Sequence, residues 1–140
     1  MSRPAASTRV MIVDDNRDVS TTLGVLLELH GAVVEVHDDG HVALTRIDAF
    51  QPVVVLIDLG MPRMDGFELA RRLRLRDDRA HRILVALTGW GDREQRRRTA
   101  AAGFDHHLVK PAGLEELLHI FEAAREVAST ADAGGRSSHA

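Results

Sequence analysis

Asp14 and Asp15, Asp58, Thr88 and Lys110 each follow directly on a short strand-like run: Val10–Val13, Val53–Ile57, Ile83–Leu87 and His106–Val109 in turn. If those runs are parallel strands of an open α/β sheet, their carboxyl ends lie along one edge, where such sheets bind ligands. Three carboxylates, one hydroxyl and one ammonium then converge. Carboxylates within several ångströms of one another repel strongly, so a cation must join them. Oxygen donors, with no Cys and no His triad in the chain, select a hard ion, and Mg²⁺ is the expected one. Mg²⁺ keeps water and shares its sphere with phosphate oxygens. The set therefore suits a phosphoryl group carried on one carboxylate and balanced by the metal and Lys110, with Thr88 donating to a phosphoryl oxygen. Aspartate is a known covalent phosphoryl acceptor, and positioning and electrostatics would supply most of the catalysis.

The segments between these runs must place the five residues. Val19, Leu23, Leu26 and Leu27 recur at helical spacing on what reads as one inward face, and Gly31 stops that helix. Ala32–Val36 reads as a second strand, ending in His37 and Asp38, which bring no converging chemistry. Asp39-Gly40 opens a helix carrying Ala43, Leu44 and Ile47. Val53–Ile57 is apolar throughout, as in a strand buried on both faces of a parallel sheet. The turn-rich loop Gly60–Gly66 leads to a third helix with Phe67, Ala70 and Leu73 inward, and Asp65 with Glu68 predicts a capping box. Asp92 with Gln95 caps an Arg-rich fourth helix that ends at Gly103. Lys110-Pro111 closes the fifth strand, and Leu114, Leu117, Leu118 and Phe121 stripe the last helix. Five strands alternating with five helices predict an α/β domain with a parallel sheet. Met1–Thr8 and Thr130–Ala140 lack apolar periodicity and are expected to be disordered, which leaves 9–129 as the folded domain.

Composition narrows the classes. A chain of 140 residues is one domain of ordinary size, and 44% hydrophobic residues exclude wholesale disorder. The net charge of -3 argues against a strongly basic nucleic-acid binder. The runs Arg71, Arg72, Arg74, Arg76 and Arg93, Arg96, Arg97, Arg98 read as solvated helix faces interleaved with Glu and Asp. With no Tyr and 4% aromatic residues there is no stacking platform for bases, so no direct nucleic-acid partner is expected. No apolar run approaches the ~20 residues of a membrane span, and no signal peptide is visible, so a cytoplasmic location without membrane contact is expected.

Asp14-Asp15, the block VLIDLGMPRMDG around Asp58, ALTG with Thr88 and LVKP with Lys110 resemble the receiver domain of two-component response regulators. The separations of 44, 30 and 22 residues between Asp14, Asp58, Thr88 and Lys110 are similar to that family's. Each motif alone is weak; all four in order are specific, and the similarity covers about Arg9 to Ser129. The resemblance implies a flavodoxin-like sheet of order 2-1-3-4-5 with helices on both faces. It implies Asp58 as phosphoacceptor, Asp15 as the main acidic Mg²⁺ ligand, Asp14 holding metal waters, and the Gly60 backbone carbonyl in the metal sphere. Thr88 is then the switch hydroxyl, Lys110 the phosphate partner, and the bond before Pro111 a cis peptide, affordable only before proline. The implied donor is a histidine kinase or histidine phosphotransfer protein. The acyl phosphate would shift the face of fourth helix, fifth strand and fifth helix between two populations.

The chain departs from the family at His107, where Tyr or Phe is usual three residues before the Lys. His107 either replaces the switching aromatic or is a half-exposed strand-end residue; a ring titrating near neutrality fits both. Trp90, two residues beyond Thr88, either packs on the fourth helix or overhangs the site mouth beside the bare Gly60. With no output domain in view, output is expected through protein contact, phosphate relay or a domain outside this sequence. The stretch GFDHHLVKP resembles receivers attached to hybrid histidine kinases. Two other readings stand beside the receiver. A small Mg²⁺-dependent phosphohydrolase with an Asp58 intermediate would want a second Asp where Gly60 stands. A pseudo-receiver binding module would not need the intact Asp, Thr and Lys set.

Overall fold

The computed structural model describes residues 8–61, 64–76, 82–89, 93–110 and 113–123. The expected disordered segments, apart from Thr8, lie outside the described residues, as do Trp90, Asp92 and Pro111. The elements are β1 (Arg9–Val13), α1 (Arg17–Leu29), β2 (Val33–His37), α2 (Gly40–Phe50), β3 (Val54–Asp58), α3 (Gly66–Arg76), β4 (Ile83–Thr88), α4 (Arg93–Ala102) and β5 (His106–Val109), followed by α5, residues 114–123. The strands form one sheet of order β2-β1-β3-β4-β5, and every neighbouring pair is parallel. This is the doubly wound, flavodoxin-like α/β architecture with five helices.

Alternation along the central strands divides the core in two. Met11, Val13, Val55 and Ile57 pack with Ala43 and Ile47 of α2, Leu69 and Leu73 of α3, and Ala102 of α4. Val10, Ile12, Val54 and Leu56 face the other way, onto Leu27 of α1 and Leu117, Ile120 and Phe121 of α5. β3 is buried at all five positions, which is why its sequence is a continuous apolar run ending in Asp58.

Four expectations need correction. Leu23 and Leu27 of α1 pack on the core as expected, together with Ser20 and Gly24, whereas Val19 and Leu26 are 46% and 37% exposed. The helix is rotated so that its small residues meet the sheet: a Cβ on Gly24 would stand 3.3 Å from Val34 Cγ1. Only one arm of the capping box at α3 forms. Asp65 Oδ1 accepts the Glu68 N–H at 2.9 Å, but the Glu68 carboxylate pairs with Arg71 and Arg72, the nearby cations on its own helix face. Arg74 is not a solvated residue, because its guanidinium donates to Gly103 O, Arg82 O and Asp105 and ties α3 to the turn before β5. Thr8 is buried, and its carbonyl accepts the Val33 N–H at 2.9 Å, so pairing begins one residue before β1.

Candidate functional site

Parallel pairing continues one residue past the strands, and this fixes the backbone under every candidate residue. The Asp14 N–H donates to His37 O at 3.0 Å, Leu59 N–H to Leu87 O at 3.0 Å, and Lys110 N–H to Thr88 O at 2.7 Å. Asp14, Asp58, Thr88 and Lys110 are thereby aligned at the carboxyl edge. The turn into α1 adds to this. Asp14 Oδ1 accepts the Asn16 N–H at 2.9 Å, and Asn16 caps α1 by accepting the Val19 N–H. After β3, Asp58 Oδ1 accepts the Gly60 N–H at 3.1 Å, an Asx-type turn that holds the carboxylate over its own loop.

Asp14, Asp15 and Asp58 each offer an oxygen such that all three lie within 4.8 Å of one another. Asp14 and Asp58 are buried and Asp15 is exposed, so the cluster opens to solvent on one side. Lys110 Nζ stands 3.0 Å from Asp14 Oδ2 and 3.4 Å from Asp58 Oδ1. Asp14 Oδ2 is buried, and the Lys110 ammonium at 3.0 Å is the partner it has among the described residues. Burial raises the Asp14 carboxyl above its ordinary value of 3.8; the Asn16 N–H and Lys110 lower it, and Asp58 raises it further. Burial works against the Lys110 ammonium, but Asp14 and Asp58 outweigh it and hold Lys110 above its ordinary 10.5. One ammonium among three clustered carboxylates leaves uncompensated negative charge. Together with the all-oxygen donor set, this fits a hard divalent cation such as Mg²⁺.

A cleft of about 370 Å³ opens over Asp58, with Gly60, Phe67, Thr88, Gln95 and Arg98 among its walls. Thr88 is buried at the end of β4 and shares this cleft with Asp58, while Lys110 approaches from the α1 side. His107 is half-buried on β5 against α4. Thr99 Oγ1 donates to Arg96 O at 2.8 Å and lies within hydrogen-bond distance, 3.2 Å, of His107 Nδ1. Two residues gain positional importance from the structure: Gly66, which closes the VLIDLGMPRMDG block, and Arg98, which belongs to no quoted motif. Gly66 lets α3 start against the backbone of Asp58 and Leu59, where a Cβ would fall 2.8 Å from Asp58 O. Arg98 enters the cleft from a helix face that resembles solvated surface, and its spacing from Thr88 carries no signal of that.

With this geometry in hand, the family can be stated. The family model of the response regulator receiver domain matches residues 10–122, and the chain belongs to that family. The response regulator MprA of Mycolicibacterium vanbaalenii is 36% identical over 129 residues, which is 92% of this chain and 55% of that protein. The chain thus spans about half the length of the MprA relatives it matches. Among solved structures, the chemotaxis protein CheY4 of Vibrio cholerae superposes with a TM-score of 0.77 at 28% identity, over 84% of this chain and 98% of that one. The receiver domain of the Saccharomyces cerevisiae response regulator Ssk1, solved with the histidine phosphotransfer protein Ypd1, gives a TM-score of 0.74 at 26% identity, over 79% of this chain and 83% of that chain. All three are response regulators or chemotaxis proteins, and none is described as a hybrid-kinase module. No helix among the described residues is long and apolar enough to cross a membrane.

Proposed function

We propose that this domain, residues 9–129, accepts a phosphoryl group on Asp58 from a histidine kinase or histidine phosphotransfer protein, with Mg²⁺ bound at Asp14, Asp15, Asp58 and the Gly60 carbonyl. The observation that carries the reading is the convergence of three carboxylates within 4.8 Å on one ammonium, Lys110 Nζ, 3.0 and 3.4 Å from two of them. In the transfer, an Asp58 carboxylate oxygen forms the new bond to phosphorus. The bond from phosphorus to the donor's nitrogen or oxygen breaks, and its electron pair leaves with the donor. Bound Mg²⁺ would neutralise charge between the acidic residues and the phosphoryl oxygens. Lys110 balances the anion from the side opposite the cleft, and Thr88 offers its hydroxyl to a phosphoryl oxygen. The complex of the related Ssk1 receiver with the histidine phosphotransfer protein Ypd1 supports a donor of that class. A change at Thr88 is felt at β5 through the Thr88 O to Lys110 N–H bond and on α4 through the Thr99–His107 contact, which supports output from the α4–β5–α5 face.

The test is intact-mass spectrometry after incubation with acetyl phosphate and Mg²⁺. Wild type is expected to gain one phosphoryl mass, and Asp58→Asn none. Labelling of Asp58→Asn at the wild-type rate would refute the assignment; full labelling in EDTA would refute the metal's part.

A further inference from the structure

Two glycines, Gly60 and Gly89, are among the described residues that line the cleft over Asp58. Among the described residues outside its chain neighbours, a Cβ on Gly60 would meet only Asp58 Oδ1, at 3.9 Å, and one on Gly89 would meet nothing within 4 Å. A longer side chain from farther away therefore has room to reach the acceptor. Among the described residues lining this cleft, Arg98 is the one cation. Its Cζ rests 4.3 Å from the centroid of the Phe67 ring. That ring is itself fixed, buried and edge-on to Phe104 at 6.5 Å between centroids. Arg71, Arg72, Arg74 and Arg76 all pair with carboxylates, whereas Arg98 has the Phe67 face for a partner among the described residues. A cation–π contact made by an exposed guanidinium is weak, so Arg98 is free to exchange the Phe67 face for an anion.

The charge balance calls for such an anion contact. A phosphorylated Asp58 brings about two negative charges beside Asp14 and Asp15, and a divalent cation with Lys110 leaves about one negative charge uncompensated. Lys110 is a point charge already engaged on the Asp14 side. Arginine adds a planar fork that matches two phosphoryl oxygens at once. We propose that Arg98 is the second cation of the phosphoryl site, parked on Phe67 in the free domain and forking onto the phosphoryl oxygens of the donor and of the Asp58 acyl phosphate. This rests on the reading of Asp58 as phosphoacceptor. Arg98 would then raise the affinity for small phosphodonors and lie across the cleft beside Gly60 and Gly89.

The experiment follows acetyl phosphate labelling by intact mass, with Mg²⁺, in wild type, Arg98→Met, Arg98→Lys and Arg97→Met. Methionine keeps an apolar cover on Phe67 but removes the charge. Arg97 has the same charge on the same helix but does not line the cleft, so it controls for the general field. Arg98→Met is expected to raise the half-saturating acetyl phosphate concentration roughly tenfold, the loss of one charge-assisted contact. Arg98→Lys should recover part of that loss, and Arg97→Met should behave as wild type. In wild type, beryllofluoride with Mg²⁺ places a phosphoryl mimic on the Asp58 oxygen, and the Arg98 Nε–H resonance should then shift while that of Arg97 stays put. Arg98→Met saturating like wild type, while Asp58→Asn stays unlabelled, would overturn the proposal and leave the phosphoacceptor intact. A wild type that never labels would remove both. Should Arg98→Met melt well below wild type, the resonance decides: a shift sustains the contact, and an unmoved Arg98 signal overturns it.

Discussion

Asp14 carries the electrostatic tension of the site. It is the most enclosed of the three carboxylates, and burial raises its carboxyl above 3.8. A carboxyl that holds its proton more tightly in the folded state than in the unfolded chain favours folding at low pH. That contribution is lost as pH rises above 3.8 and through the raised folded value. The metal-free domain should therefore be less favoured by Asp14 at neutral than at acid pH. Asp14→Asn keeps an oxygen for the Asn16 N–H and removes the charge, so it should stabilise the metal-free protein by about 1 kcal/mol, or about 3 °C in Tm. The gap should close as pH falls and the wild-type carboxyl takes up its proton. Melting curves in EDTA at neutral and acid pH check this, and a neutral-pH Tm below wild type would contradict the crowded-carboxylate picture. Lys110→Met should do the opposite. The raised Lys110 contributes stability below 10.5 that is lost only as pH climbs through its folded value, so removing it lowers the Tm at neutral pH.

At the scale of elements, the site depends on how closely α3 abuts β3. Gly66→Ala would put a Cβ 2.8 Å from Asp58 O and 2.9 Å from Leu59 Cα, and both are backbone-bound atoms that cannot swing aside. We expect a loss of roughly 1–3 kcal/mol from the overpacking, and slower acetyl phosphate labelling because Asp58 itself is displaced. Urea unfolding and labelling rates measured on the same variant would test both, and an unchanged midpoint would mean that α3 can retreat freely. Such contacts mark where reading the sequence stops. The strands, and the residues at their ends, were legible because a parallel sheet must be apolar between turns and because Asp, Thr and Lys follow each run directly. The α1 face was not. Val19 and Leu26 have the right period, but helix rotation is set by how close a helix can come, and Ser20 and Gly24 allow the nearest approach to Val34 and Ile12. Arg74 was misread for a related reason, and the Arg98 contact left no sign: their partners, Gly103 O and the Phe67 ring, lie 29 and 31 positions away and leave no local pattern.

For the whole molecule, a cation that binds the folded cluster and not the unfolded chain must stabilise the fold by mass action, by about 2.7 kcal/mol at a hundred times its Kd. Mg²⁺ should thus raise the Tm of wild type with a midpoint that reports its affinity. Asp15→Asn, at the exposed end of the cluster, should shift that midpoint to higher Mg²⁺ while leaving the metal-free Tm nearly unchanged. An equal Mg²⁺ response in both proteins would place the cation elsewhere. All of these effects converge on one covalent event at one carboxylate, and it can be mapped directly. Borohydride reduces an aspartyl phosphate to homoserine, so peptide mass spectrometry after phosphorylation and reduction reads the acceptor position. Homoserine at position 58 alone, dependent on Mg²⁺, is the result predicted; homoserine at Asp14, Asp15 or Asp65, or at no position in a protein that has gained phosphoryl mass, would contradict it.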